Sequence, residues 1–188
     1  LQKARVIHEF THDSFYLGED GPTHQPVEHI MSLRMIPNFY VMRPADAIET
    51  ETMMKAAIGL TTNSAICLSR QGLPFIETQE NISAKAIRGA YEITTTDQPE
   101  IIIFATGSEV HLAIEVAKRI ENQEVKVVSM PCWELFLEQD QEYIEETLAQ
   151  QVTKRISIEA GSTLGWQKFT GSDGINIGID CFGASAPG

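Results

Sequence analysis

Cysteine is scarce in this sequence. The 188 residues hold three, Cys67, Cys132 and Cys181, far apart and in no CxxC pair. No disulfide framework and no thiolate metal site follows from them, and a reducing cytoplasm is the expected compartment. Basic residues are also few: 14 Lys and Arg stand against 26 Asp and Glu, a net charge of −12. Such a chain repels nucleic-acid backbones and anionic lipid, so neither a general nucleic-acid role nor a membrane-surface role is expected. An anionic substrate must instead be met by a few local cations. No apolar run reaches membrane-spanning length. Residues 1–10, "LQKARVIHEF", lack the apolar centre of a secretion signal. The chain begins without Met and enters a strand-like run at once, as expected of a cut piece.

What is present is an ordinary globular share of apolar residues, 43%. The length fits one large domain or two small ones. Short apolar runs alternate with amphipathic ones. Strands are expected at 4–10, 39–44 and 64–70, with helices over 27–36 and from Asp46 to about Leu60. In the first helix Val27, Ile30, Met31 and Met35 lie near one face. In the second, Asp46 and Glu49 have capping-box spacing, and Ala47, Met54, Ala57 and Ile58 are expected to face inward. Residues 71–99 are polar and read as a linker with room for short structure. A second unit follows, with strands at 100–108, 125–131, 154–161 and 175–183. Its helices fall at 109–123 and 140–148. The alternation predicts an α/β fold of two lobes, each a mostly parallel sheet with flanking helices.

The chemistry-bearing stretch is "THDSFYLGEDGPTHQP", residues 11–26, which follows the first strand. Gly18, Gly21, Pro22 and Pro26 are turn residues, and the acids can cap local N–H groups, so a structural role alone accounts for it. The functional reading rests on position, since α/β sheets bind ligands at the carboxyl ends of their strands. His12 and His24 can hydrogen-bond or move protons near neutral pH. Asp20 can accept from polyol hydroxyls. Arg70 ends the strand "AICLSR" and should share a sheet end with His12, where it suits bidentate phosphate binding; a surface ion pair is the simpler alternative. "ATGSEV" (105–110) is a strand, turn and helix start. It suits an anion on the helix N–H groups, but a plain turn explains it more simply. The acidic stretch 134–146 reads as a solvated face.

"THDSFYLGEDGPTHQPVEHIMSLRMIPN", then "RPAD" and "LSRQ", resembles the transketolase family, and "GEDGPTHQPVE" is highly specific. "ATGSEV", "VVSMP", "EAG" and "FGASAP" are similar to that family's C-terminal domain. The resemblance makes residues 1–80 the later part of the pyrimidine-binding domain, 81–96 a linker, and 97–188 the C-terminal domain without its last helix. The activity it implies is transfer of a two-carbon ketol unit from a ketose phosphate to an aldose phosphate. The implied cofactors are thiamine diphosphate, as carbanion source, and Mg²⁺ or another divalent cation to anchor it. The resemblance also implies a cytoplasmic homodimer of sugar-phosphate (pentose phosphate) metabolism.

Residue by residue, His12 corresponds to a binder of the substrate's distal phosphate and Asp20 to a reader of a substrate hydroxyl. His24 matches the histidine near the reacting carbons, and Arg70 the phosphate clamp. The cofactor-activating Glu, the aromatics around the aminopyrimidine and the GDG…NN motif are expected upstream of Leu1, with no metal site on this chain. The piece alone is therefore expected to be inactive and to bind no cofactor tightly. Phe15 and Tyr16 are bulkier than the residues usual at these positions. Deoxyxylulose phosphate synthase shares "GEDGPTH" but not the "QPVE" and "LSRQ" that follow here. A non-catalytic interaction or regulatory module would suit residues 97–188 alone; mixing the chain with the missing portion and assaying ketol transfer separates the two.

Overall fold

The computed structural model describes residues 4–18, 20–76, 81–94 and 96–185. The first lobe is a three-stranded parallel sheet of β1 (Ile7–Thr11), β2 (Phe39–Met42) and β3 (Asn63–Leu68), in the order β1-β3-β2. Strand side chains alternate between faces, so each strand supplies two cores. Val41, Ala65 and Cys67 meet Ile30 of α1 (His29–Arg34) on one face. Met42 and Ile66 meet Met53 and Ala57 of α2 (Ala47–Gly59) on the other. The α2 cap forms as its spacing predicts: Asp46 Oδ1 accepts from Glu49 N at 2.7 Å. The inward face of α2 differs from expectation. Glu49, Thr52, Met53 and Ala57 are buried, while Ala47 and Ile58 are exposed. Glu49 turns the helix, because its carboxylate reaches inward to Ala45 N, Tyr91 and Ser129. Met35, placed on the inner face of the first helix, is also exposed. At the sheet edge Phe10 of β1 and Val6, just before the strand, are uncovered, 43% and 41% exposed.

The second lobe has five strands, in the order β4-β6-β5-β7-β8. They are β4 (Tyr91–Glu92), β5 (Ile101–Ala105), β6 (Val125–Ser129), β7 (Lys154–Ile158) and β8 (Ile175–Ile177). All neighbours are parallel except β4 against β6. Ile101, Ile103 and Ala105 pack on Val110, Ala113 and Ile114 of α4 (Glu109–Arg119). Ile102 and Phe104 face an aromatic group of Trp133, Phe136, Trp166 and Phe169. Trp133 and Phe136 come from α5 (Trp133–Leu137) and Phe169 from α7 (Gln167–Thr170), short helices the sequence pattern does not announce. The α6 helix (Gln141–Leu148) is capped by Asp140.

Residues 71–99, read from sequence as a linker with room for short structure, contain α3 (Ile82–Ala86) and β4. Tyr91 pairs with Ser129, so this segment is built into the second sheet. The acidic stretch 134–146 is not wholly solvated either. Glu134 accepts from Val41 N at 3.1 Å, and Glu138 accepts from the Tyr40 hydroxyl, so both acids join the lobes. Burial together with Glu138 raises the Tyr40 phenol to about 12, the hydrogen bond being the larger cause. An antiparallel bridge between Met42 and Cys132 adds backbone pairing across the same boundary.

Candidate functional site at the carboxyl ends of the first sheet

The parallel register of β1 and β3 pairs Thr11 with Leu68. His12 therefore leaves β1 where Ser69 and Arg70 leave β3. Asp13 N donates to Leu68 O at 3.2 Å and ties the two exits together. His12 takes the left-handed conformation, φ 61°, which costs an L-residue about 1–2 kcal/mol and must be held by its surroundings. Its ring is exposed, with Nδ1 2.9 Å from Thr11 Oγ1. Arg70 is exposed as well. Next to it, Gln71 Nε2 donates back to Tyr16 O at 2.5 Å and so fastens the loop after β1 to the end of β3.

That loop turns through a single 3-10 turn at Phe15–Leu17 and then through Gly18 (φ 96°) and Gly21 (φ 79°). Gln25 Nε2 crosses it to Gly18 O at 2.5 Å. Asp20 and His24 are exposed on the same loop, with His24 Nδ1 3.0 Å from Thr23 Oγ1. The structure thus brings His12 and Arg70 to one sheet end and carries Asp20 and His24 on the loop leaving it. Phe15 and Tyr16 of this loop line a cleft of about 530 Å³ between the lobes with Leu73, His111, Leu112 and Ile177.

Beneath the exposed residues lies a buried charge network that sequence reasoning missed. Arg43, directly after β2, is fully buried. Its Nε donates to Asp13 Oδ2 at 2.6 Å. Its Nη1 donates to Thr106 O at 2.9 Å, to Thr106 Oγ1 at 3.0 Å and to Glu109 Oε2. Burial alone would lower the guanidinium's pKa, but Glu109, Asp13 and Glu159 outweigh it and raise the value above the ordinary one. The "TGS" turn is therefore filled by an arginine and holds no open anion cradle. A neighbouring group centres on Glu159. It accepts from Arg34 Nη1 and Nη2 at 2.8 Å each, from Trp166 Nε1 at 3.0 Å and from Thr106 Oγ1 at 2.6 Å. Arg34 also stacks 3.8 Å from the Trp133 ring. Burial pushes the Glu159 carboxyl upward, yet Arg34 and Arg43 bring it down to about 2. The sequence signal for these groups was only their place in "THDS", "SLRMIPN", "RPAD", "ATGSEV" and "EAG". Periodicity cannot tell a buried charge from a surface one.

Residues 1–75 match the family described as transketolase, pyrimidine binding domain. Residues 89–188 match the transketolase-like C-terminal domain. The chain belongs to the transketolase family. It is 48% identical to a chloroplastic transketolase of Solanum tuberosum over 193 aligned residues, covering all of this chain and 26% of that protein. A Staphylococcus aureus transketolase is 47% identical, with 95% of this chain and 28% of that protein covered. Among solved structures, a transketolase from Pichia stipitis in complex with sedoheptulose 7-phosphate superposes with a TM-score of 0.87 at 42% identity. That match covers 94% of this chain and 26% of the other. The chain thus spans about a quarter of the length of these relatives. Within the transketolase family the first lobe corresponds to the pyrimidine-binding domain, and thiamine diphosphate is the implied cofactor. Among the described residues no three His, Cys, Asp or Glu side chains group closely enough to hold a metal ion. Nor does any described helix have the length and apolarity to cross a membrane.

Proposed function

We propose that this chain supplies the sugar-facing half of a transketolase active site. The whole protein transfers a two-carbon ketol unit from a ketose phosphate to an aldose phosphate. Thiamine diphosphate, anchored by Mg²⁺ or a similar cation, supplies the carbanion. Among the described residues no group of three His, Cys, Asp or Glu side chains could form that anchor, and this chain's residues act on the sugar. His12 and Arg70 bind the substrate's distal phosphate, Asp20 reads a hydroxyl, and His24 contacts the reacting end and moves protons. The observation that carries this reading is the shared exit of His12 and Arg70 from adjacent parallel strands, tied by Asp13 N to Leu68 O. A cation and an imidazole at the carboxyl ends of a parallel sheet suit a dianionic group on a net-acidic protein. That a Pichia stipitis relative was solved with a sugar phosphate supports the substrate class. The reading further places the whole protein as a cytoplasmic homodimer in pentose phosphate metabolism, a compartment supported by free Cys67, Cys132 and Cys181.

The test is steady-state kinetics on the full-length protein. Arg70→Ala should raise KM for phosphorylated acceptors and leave an unphosphorylated aldehyde acceptor little changed. His24→Ala should instead lower kcat with every acceptor, by roughly 10²–10⁴-fold if it transfers protons. Equal effects of both changes on all substrates would overturn these roles. For the 188-residue chain alone, calorimetric titration with thiamine diphosphate and Mg²⁺ should show no tight binding, and a coupled assay no turnover.

A further inference from the structure

The network under the candidate site joins two lobes that the family comparison treats as separate domains. Asp13 adjoins His12 and holds the β1 exit to Leu68, two residues before Arg70. Its carboxylate is 3% exposed and pairs with Arg43 at 2.6 Å. The rest of the Arg43 guanidinium is held by the second lobe, through Thr106, Ser108 and Glu109. Glu109 is in turn fixed by Ala160 N at 2.8 Å and by Ser108 Oγ at 2.6 Å. The backbone follows the same path, with Gly107 N donating to Arg43 O at 3.0 Å and Arg43 N to Pro131 O at 2.8 Å. The turn is shaped to this arginine. Gly107 has φ +53°, and a Cβ there would lie 2.8 Å from Arg43 Cζ.

A planar fork bonded on both edges has little freedom to rotate, so it transmits position from one carboxylate to the other. The exposed His12, in a left-handed conformation, has no comparable anchor of its own among the described contacts. We propose that Glu109, in the second lobe, is a positioning residue for the phosphate site, acting through Arg43 and Asp13 on His12 and Arg70. The C-terminal lobe then has a part in substrate recognition without touching substrate. This rests on the phosphate-site reading above.

The experiment compares Glu109→Gln and Arg70→Ala in the full-length protein, with one phosphorylated and one unphosphorylated acceptor. Glu109→Gln keeps the side chain's shape and removes the charge that orients Arg43. It should raise KM for the phosphorylated acceptor by roughly 10–100-fold, the loss that a shift of about 1 Å brings. KM for the unphosphorylated acceptor and kcat for both should stay within about twofold. A purely structural role would lower the amount of active enzyme, and so kcat with both acceptors alike. Should Glu109→Gln not give folded protein, Thr106→Val serves. It is close in shape, removes one acceptor from Arg43 and one donor to Glu159, and should show the same acceptor-selective rise at smaller size. If Arg70→Ala is selective and neither second-lobe variant is, the coupling is refuted while the phosphate site stands. If Arg70→Ala is not selective, the phosphate site falls and the coupling with it.

Discussion

Replacing Glu159 by Gln should be among the most destabilising single-atom changes in this chain. The carboxylate is buried between the lobes and accepts from Arg34 Nη1 and Nη2, Thr106 Oγ1 and Trp166 Nε1. Gln keeps the shape but turns one oxygen into an NH₂ group facing other donors. It also leaves Arg34, whose side chain is 2% exposed, without its counter-charge. Two routes give the size of the loss. The carboxyl is held at about 2 against an ordinary 4.5, a gap of roughly 3 kcal/mol. Breaking a buried ion pair from one side typically costs about 3–5 kcal/mol. The routes agree near 3–4 kcal/mol, which at this chain length lowers Tm by roughly 6–16 °C.

Urea and thermal unfolding of the 188-residue chain at pH 7 would measure it, with Lys55→Ala as control. Lys55 pairs with Glu51 at the surface, and its loss should leave the midpoint unmoved. The pH dependence gives a second check. The folded pKa of Glu159 lies below the unfolded one, so its contribution is complete above about pH 4.5 and lost as pH falls toward about 2. The gap between parent and variant should therefore close through that window. A loss under about 1 kcal/mol at pH 7, or a gap independent of pH, would refute the reasoning.

Glu49 titrates in the opposite sense. Burial raises its carboxyl to about 7 despite donors from Ser129, Ala45 and Tyr91. Its contribution is present below about pH 4.5 and lost as pH rises through about 7, so Glu49→Gln should flatten the decline over that range in urea midpoints; parallel curves would count against it. Gly89 has φ +89°, and an added Cβ would meet the backbone of Cys132 and Phe136. Gly89→Ala should cost at least about 2 kcal/mol, whereas Gly72→Ala, with open space around it, should be close to neutral by the same unfolding measurement.

Much of this molecule was legible in one dimension. Hydrophobic periodicity depends only on neighbours along the chain, so β1, β3, β5, β6, α4 and α6 lie where alternation and helical spacing placed them. The capping pair Asp46 and Glu49 is equally local. The loop at 11–26 was recognisable because its turn residues and its motif are contiguous. Local pattern failed where long-range contacts took over. The strand β4 has only two residues and exists because β6 offers it a partner. Ile58 reads as core and lies in solvent, because Glu49 sets the turn of α2 through partners on Tyr91 and Ser129. No local pattern marks Arg34, Arg43, Glu109 and Glu159 as buried. They are buried because each finds its opposite on the other lobe, and a charge leaves water only when a distant partner replaces it. Composition and spacing therefore determined the longer strands and helices and which loop carries the chemistry. Only the packing of one lobe on the other decided what that loop rests upon, because burial depends on residues far away in sequence.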